Sequence, residues 1–568
     1  MKKLLVLFLM LTFVFTMLFG CSGQGNDANN VNSGHENLDN PTDVLVIGTA
    51  SLGTENFNIR QTATLLTPLT QQRLFRCNYS DEYAAGREEW GPQGELATGY
   101  DMSDDGLTYT IYLRQGVQWH GGYGEFTADD VDFTFSQMAD PELDSTGLWY
   151  FADSADGGFI KDWKVIDKYT IEIHLSRLES LFIYDLADSC CHIFCKNYIE
   201  QVGWDTASLS PIGTGPWVFD ELIPGDSVSL VRNDNYWGKA SDFAGLRLKL
   251  VTDSAAMMMM LQNGQIDMAQ INADQAEDAE NAGLHIIEIK DVQVMTLCFG
   301  GQLLASDSKY DPTVPWANHS EEPLNSEWNQ RALKVRQALC YAIDKDAIMN
   351  DIVSGYCSPA PLREFPYCIP ETDPSWTQYP YDPAKAKELL SEAGYPNGFD
   401  KPIEMLIDNM ATYGVDTPKI GNAIADYLGA IGLKVKRTVL DSNSIYDKWK
   451  EQRDCAWCMM VDYGIVCPDP AWAWPWSRIS TAGEFVTANF HQTDDYINKV
   501  LMTLDSAERS ALERECGQFL YDNYTECALL TASTVYACNS TIGDWHPRSS
   551  YEMTLNWQMN LEGIEKAQ

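Results

Sequence analysis

Strand-like and helix-like patterns alternate from Asp43 to Leu440, and no segment repeats at the roughly 20–50-residue period of solenoids and propellers. That alternation restricts the fold more than any other feature. Residues 43–49 read as a first strand, 109–113 as a strand leaving the turn at 103–106, 164–175 as two strands about a polar turn, and 227–231 as another. Thr127, with an acid three residues on, predicts a capped helix start. Residues 329–349 have helical spacing, Asp382-Pro383 opens a further helix that stops at Gly394, and 417–431 form another, closed by Gly432 and followed by a strand over 433–440. The expected class is α/β. At roughly 100–200 residues per domain, 568 residues suggest about three lobes.

The N-terminus reads differently. Two lysines precede an uninterrupted apolar run, 4–20, that ends at Cys21, the layout of a secretory signal. Leu18-Phe19-Gly20-Cys21 resembles a bacterial lipobox, which makes Cys21 the expected lipidated residue. Residues 22–42 are polar and rich in Ser, Gly, Asn and Asp, so a flexible tether is expected over 21–42 after a signal peptide at 1–20. No later segment approaches membrane-spanning length, which excludes a channel or permease. The expected location is the outer face of a membrane or the periplasm, held by the lipid on Cys21.

Composition excludes other classes. With 39 Lys and Arg against 81 Asp and Glu, the formal charge is −42, and no basic cluster exists to hold a phosphate backbone, so no nucleic acid is expected as a partner. Catalytic signatures are missing too. GxSxG, GxxxxGK[ST] and HExxH are absent, His120-Gly121-Gly122 has no nucleophile elbow to serve, and Gly213-Thr214-Gly215 runs into Pro216 rather than a helix. The eight histidines are scattered. No metal, cofactor or catalytic residue is therefore expected. Cys455-Ala-Trp-Cys458 has no second ligand pair, and Met257 to Met260 lie in a helical window, so both read as core. Cys357 and Cys368 are the best local candidates for a disulfide.

Aromatic residues are plentiful. Trp457, Tyr463, Trp472, Trp474 and Trp476 fall close together, interleaved with Asp462, Asp469 and prolines. Rigid aromatic walls with a few carboxylates suit an amphipathic or cationic ligand; filling the core of a large lobe is the alternative. The spacing of two between Trp472, Trp474 and Trp476 predicts one face of an extended segment.

Four groups of residues together resemble the extracytoplasmic solute-binding proteins of ABC transporters, in the family of oligopeptide-, dipeptide- and nickel-binding proteins. The first runs from Leu96-Ala97-Thr98 through Arg114-Gln115-Gly116, Trp119-His120-Gly121 and Thr127-Ala128-Asp129-Asp130. The second is Pro211-Ile212-Gly213-Thr214-Gly215-Pro216-Trp217 with Arg232-Asn233-Asp234-Asn235-Tyr236-Trp237. The third is Val335-Arg336-Gln337-Ala338-Leu339 with Ile343-Asp344-Lys345, and the fourth Tyr381-Asp382-Pro383-Ala384-Lys385-Ala386 with Ala393-Gly394-Tyr395. Two stretches, 80–95 and 301–328, are longer than the family pattern, and either is a candidate to cover or reshape the ligand entrance.

The resemblance implies a two-lobed, periplasmic-binding-protein-like α/β fold with a hinge and an extra inserted small domain. Lobe I would comprise 43–75, 205–290 and 530–568, the small domain 76–204, and lobe II 291–529. It implies a monomer that captures peptides in the inter-lobe cleft and delivers them to permease subunits. Asp462 matches the aspartate that takes the peptide's ammonium, with Tyr463 beside it on a strand-like segment; Asp469 is a rival anchor. Arg363 is the candidate for the ligand's carboxylate, Trp472 and Trp474 for its wall, and Asn56 and Phe57 for the approach from lobe I. Capture of a nickel chelate, an opine or another small amine is the alternative within binding proteins. A hydrolase with fold-assembled carboxylates and a sensory co-receptor are alternatives of other classes.

Overall fold

The computed structural model describes residues 43–53, 57, 66–78, 91–143, 150–151, 158–188, 191–409, 415–467, 469–474, 491–543, 545, 561 and 564–567. Asn56, Cys21 and Trp476 lie outside them. The strands are β1 (Val44–Thr49), β2 (Phe75–Asn78), β3 (Gly91–Gly94), β4 (Ala97–Met102), β5 (Thr108–Leu113), β6 (Ile160–Asp167), β7 (Thr170–Leu175), β8 (Trp217–Ile223), β9 (Ser227–Arg232), β10 (Gly245–Leu250), β11 (Met268–Ile271), β12 (His285–Phe299), β13 (Cys357–Ser358), β14 (Ile403–Asp408), β15 (Val435–Leu440), β16 (Cys458–Ile465) and β17 (Cys527–Cys538).

One sheet carries both lobes, in the order β15-β14-β16-β12-β17-β11-β1-β10-β9-β8, with β13 also against β17. Its two halves are joined by its two longest strands. The first part of β12 pairs only with β17, whereas Gln293 to Phe299 also pair with β16; β17 in turn pairs with β11 through Val535 to Cys538. At the joint the β12–β17 register breaks between Ile289 and Gln293, and Asp291 takes φ 52°. Side chains staple this bulge: Thr531 donates to Asp291 Oδ1 at 2.7 Å and Ser533 to Glu288 Oε1 at 2.7 Å. A bulge bends a strand without ending it, so this crossing has the geometry of a hinge.

Three cores follow from the sequence patterns. Lobe I packs Leu45, Ile47, Trp217, Leu246, Leu248 and Tyr536 on its half of the sheet. Lobe II buries Val335, Leu339, Leu390, Ile420, Ile424 and Leu428 from the helices Glu327–Tyr341, Pro383–Glu392 and Thr417–Ala430 against β12, β14 and β16. The small domain is a four-stranded antiparallel sheet, β4-β5-β7-β6, covered by the helix Ala128–Met138. Thr127 starts that helix in a reciprocal cap with Asp130, and Asp382 accepts from the Ala384 and Lys385 amides at the start of Pro383–Glu392.

The structure corrects several details. The helix expected over 329–349 stops at Tyr341, because Asp344 leaves helical geometry and accepts from the Ala347 amide to start a new turn. Part of the stretch 301–328 is core: Val314, Trp316 and Ala317 sit in the lobe II core, and Trp316 Nε1 donates to the Gly300 carbonyl at 2.7 Å. Cys357 and Cys368 are free thiols.

Most of the quoted motifs knot the small domain to lobe I. Neutral His120 accepts from the Gly213 amide through Nδ1 and donates from Nε2 to the Gly215 carbonyl, at 3.1 and 2.9 Å. Burial holds its pKa down, from the usual 6.5 to about 4. A Cβ on Gly213 would lie 1.8 Å from the Thr70 carbonyl oxygen, so only glycine fits there. Trp237 Nε1 donates to Gln72 Oε1 at 2.8 Å, while the Arg114 guanidinium lies 4.0 Å above the Trp237 ring.

Candidate ligand site between the lobes

Three expected ligand residues are brought together: Arg363 meets both Asp462 and the backbone of Tyr463. Side chains alternate along β16, so Trp457, Met459, Val461 and Tyr463 face the helical core of lobe II while Asp462 points to the other face. Thr296 pairs with Asp462 in the ladder, with Cys298 two residues on. Arg363 lies across this face. Its Nη1 is 2.6 Å from Asp462 Oδ2, and its Nη2 donates to the Tyr463 carbonyl at 3.2 Å. Only 11% of the arginine side chain and 16% of the aspartate's is exposed. Burial opposes the Arg363 charge, but Asp462, Cys298, Glu526 and Glu364 together hold its pKa above the ordinary value.

Gly464 makes the arrangement possible. A Cβ there would sit 2.7 Å from Arg363 Nε and 3.3 Å from Cζ, so the guanidinium occupies the space a side chain would fill. The pair sits on the lobe II strand beside β12, shortly beyond the bulge at Asp291.

The other expected residues fall elsewhere. Asp469 caps the helical turn Pro470–Ala473, accepting from the Ala471 amide at 3.0 Å, and pairs with Arg509 at 3.4 Å. Glu513 stands 3.5 Å from the same arginine. Burial and Asp469 push Glu513 up to about 10, and burial also raises Asp469. Burial and mutual repulsion thus both disfavour ionisation of the two carboxylates beside this one arginine. The segment with Trp472 and Trp474 is this helical turn and not the extended run that the spacing of two predicts. Both rings are buried with Leu362, Phe365, Trp376 and Leu520, and Trp474 packs 6.0 Å from Phe365. Phe57 is 1% exposed in the lobe I core, its ring 5.9 Å from Phe219, and its amide donates to the Ser208 carbonyl at 2.9 Å.

Residues that sequence reasoning missed close the small domain against lobe II. The Ser180 amide donates to the Leu501 carbonyl at 2.8 Å and its hydroxyl to the Val500 carbonyl at 3.0 Å. Leu181 enters the cluster of Trp472 and Trp376, and Asp185 Oδ1 accepts from Trp472 Nε1 at 3.2 Å. The signal was faint: Glu179, Asp185 and Asp188 are carboxylates set among Leu181, Phe182, Ile183 and Leu186, which would be buried in any fold.

Two halves of one sheet joined through paired strands, with a third unit packed across them, have an architecture suited to closure around a solute. Among the described residues no helix is long and apolar enough to cross a membrane. Residues 91–483 match the family model of bacterial extracellular solute-binding proteins, family 5, middle region, and the chain belongs to that family. It is accordingly a binding protein and not an enzyme. The chain is 30% identical over 365 residues to heme-binding protein A of Haemophilus influenzae, spanning 58% of this chain and 62% of that protein's length. It is 28% identical to the glutathione-binding protein GsiB of Salmonella paratyphi A, over 79% of this chain and 83% of that one. Its fold matches the periplasmic binding protein DppA of Helicobacter pylori in complex with the peptide STSA, with a TM-score of 0.69, 22% identity, and 91% of this chain and 97% of that chain covered.

Proposed function

We propose that this protein is the lipid-anchored, monomeric binding component of an ABC importer, which captures short peptides between its lobes and presents them to the membrane permease. The observation that carries the reading is the Arg363–Asp462 pair on the face of β16 beside the hinge. It holds a guanidinium, with Asp462 as its counter-ion, in a largely dry site, the polar complement of a ligand's carboxylate. The glutathione-binding and peptide-bound relatives support the ligand class. Lobe divisions at 43–75, 205–290 and 530–568, at 76–204 and at 291–529 belong to the same reading. Strand addition of a peptide beside Asp462 and Tyr463 would read its backbone whatever its side chains. Anchoring rests on Cys21 and the apolar run before it.

The test is native mass spectrometry of the chain from Asp43 onward, purified without refolding, with release and sequencing of whatever is bound. A ladder of short peptides is the expected result. A single non-peptide mass overturns the ligand class while leaving the binding role in place.

A further inference from the structure

We propose that Asp185, with Glu179, forms a cation-accepting subsite at the contact between the small domain and lobe II, and takes the ammonium group of the ligand. The proposal rests on the peptide reading above and gives the ligand's amine a place different from Asp462.

Buried carboxylates in this protein differ in whether they already have a cation. Asp462 has Arg363 and Asp469 has Arg509. Asp185 has neither. It is 8% exposed, its Oδ1 accepts from Trp472 Nε1, and its Oδ2 has no hydrogen-bond partner among the described residues. The charged and titratable groups that act on it are Glu179, Cys191 and Asp188, all of which disfavour its ionisation, as burial does. Glu179 is itself buried and pushed up to about 7, with Arg177 opposing. Asp188 accepts from the Tyr150 hydroxyl at 2.5 Å. Such a carboxyl either keeps its proton or is completed by a cation from outside.

The surroundings suit an ammonium. It would offer three donors to the open Oδ2 of Asp185 and to Glu179, in a site where charge-assisted bonds are strong. Tyr109, raised by burial and by the nearby Glu179 and Asp185, stands against Phe182 with ring centres 4.6 Å apart. Leu362, next to Arg363 in the chain, packs in one cluster with Trp472 and Leu181, so the subsite and the Arg363–Asp462 pair flank the same contact. Opening the contact at Ser180 and Leu181 would admit the ligand.

The experiment uses calorimetry with two probes, tetra-alanine with a free amino terminus and its N-acetylated form, on the chain from Asp43 onward and its Asp185→Asn and Asp462→Asn variants. Asparagine reproduces the neutral carboxyl in shape; should that variant not fold, as judged by circular dichroism, Glu179→Gln is read in its place. The expected result is a wild-type preference of at least tenfold for the free amine, lost in Asp185→Asn and kept in Asp462→Asn. A preference that survives in Asp185→Asn overturns the subsite. If neither peptide binds the wild-type protein, the peptide reading fails and spermidine becomes the probe, followed by the thermal midpoint. A rise in midpoint for wild type but not Asp185→Asn sustains the subsite, and equal or absent rises overturn it.

Discussion

Arg363 and Asp462, separated by 99 positions in sequence, form an ion pair of 2.6 Å across the face of β16. Each is expected to hold one end of a ligand, and here each balances the other. Removing one member leaves a mostly buried charge without its partner, which costs about 3–5 kcal/mol. Arg363→Met and Asp462→Leu should each destabilise by an amount of that order in urea unfolding. The double variant should lose much less than the sum, with a coupling energy above about 1.5 kcal/mol. Additive losses would show that the pair contributes little.

Gly464 gives a second, independent handle on the same site. Alanine there places its Cβ 2.7 Å from Arg363 Nε, and the guanidinium must move. Gly464→Ala should therefore weaken ligand binding roughly as Arg363→Met does, with a smaller stability loss of about 1–3 kcal/mol typical of overpacking. Calorimetry with the ligand identified by mass spectrometry reads the first, and urea unfolding the second. Unchanged affinity in Gly464→Ala, with a displaced arginine, would remove Arg363 from the ligand site.

How much of this was legible in the sequence depends on the range over which the cause acts. Local causes were readable: Thr127 with Asp130, or Asp382 with Pro383, fix a helix start within a few residues. The stop at Tyr341 was not, because Asp344 competes as a cap inside a run that otherwise keeps helical spacing. The tryptophans at 472 and 474 share an alternation with strands, but Asp469 and Pro470 turn them into a helical turn. The site itself joins partners distant in sequence. Sequence could nominate Arg363 and Asp462 but not show that they neutralise each other. It gave no special standing to Asp185, whose short helix Phe182–Asp185 has too little periodicity to be noticed.

His120 makes acid stability a report on the junction of lobe I and the small domain. Its folded pKa, about 4, lies below the usual 6.5. The unfolded chain therefore takes up the proton first as pH falls, and stability that is complete above 6.5 is lost progressively down to about 4. A shift of this size corresponds to on the order of 3 kcal/mol. Other groups titrate over the same range, so the comparison is with His120→Gln. That variant should be less stable than wild type at pH 8, and the difference should shrink by about that amount at pH 4. A gap independent of pH would mean that His120 is not buried neutral.

The contact at Leu181 separates closure from folding. Leu181 is 1% exposed and packs among Trp472, Trp376 and Leu520, yet its chain neighbours belong to the small domain and its packing partners to lobe II. Truncating a leucine so buried costs about 2–5 kcal/mol. If the contact were part of the folding unit, Leu181→Ala would lower the unfolding free energy by that amount. If instead small domain and lobe II part and rejoin, most of the loss falls on the closed state, shifting the open–closed balance about thirtyfold or more with little change in the unfolding midpoint. The second outcome is expected, seen as a larger radius of gyration by small-angle X-ray scattering and as weaker ligand binding. An unchanged radius with a lowered midpoint would make this contact a permanent part of the fold, one that holds the joint of β12 and β17 shut.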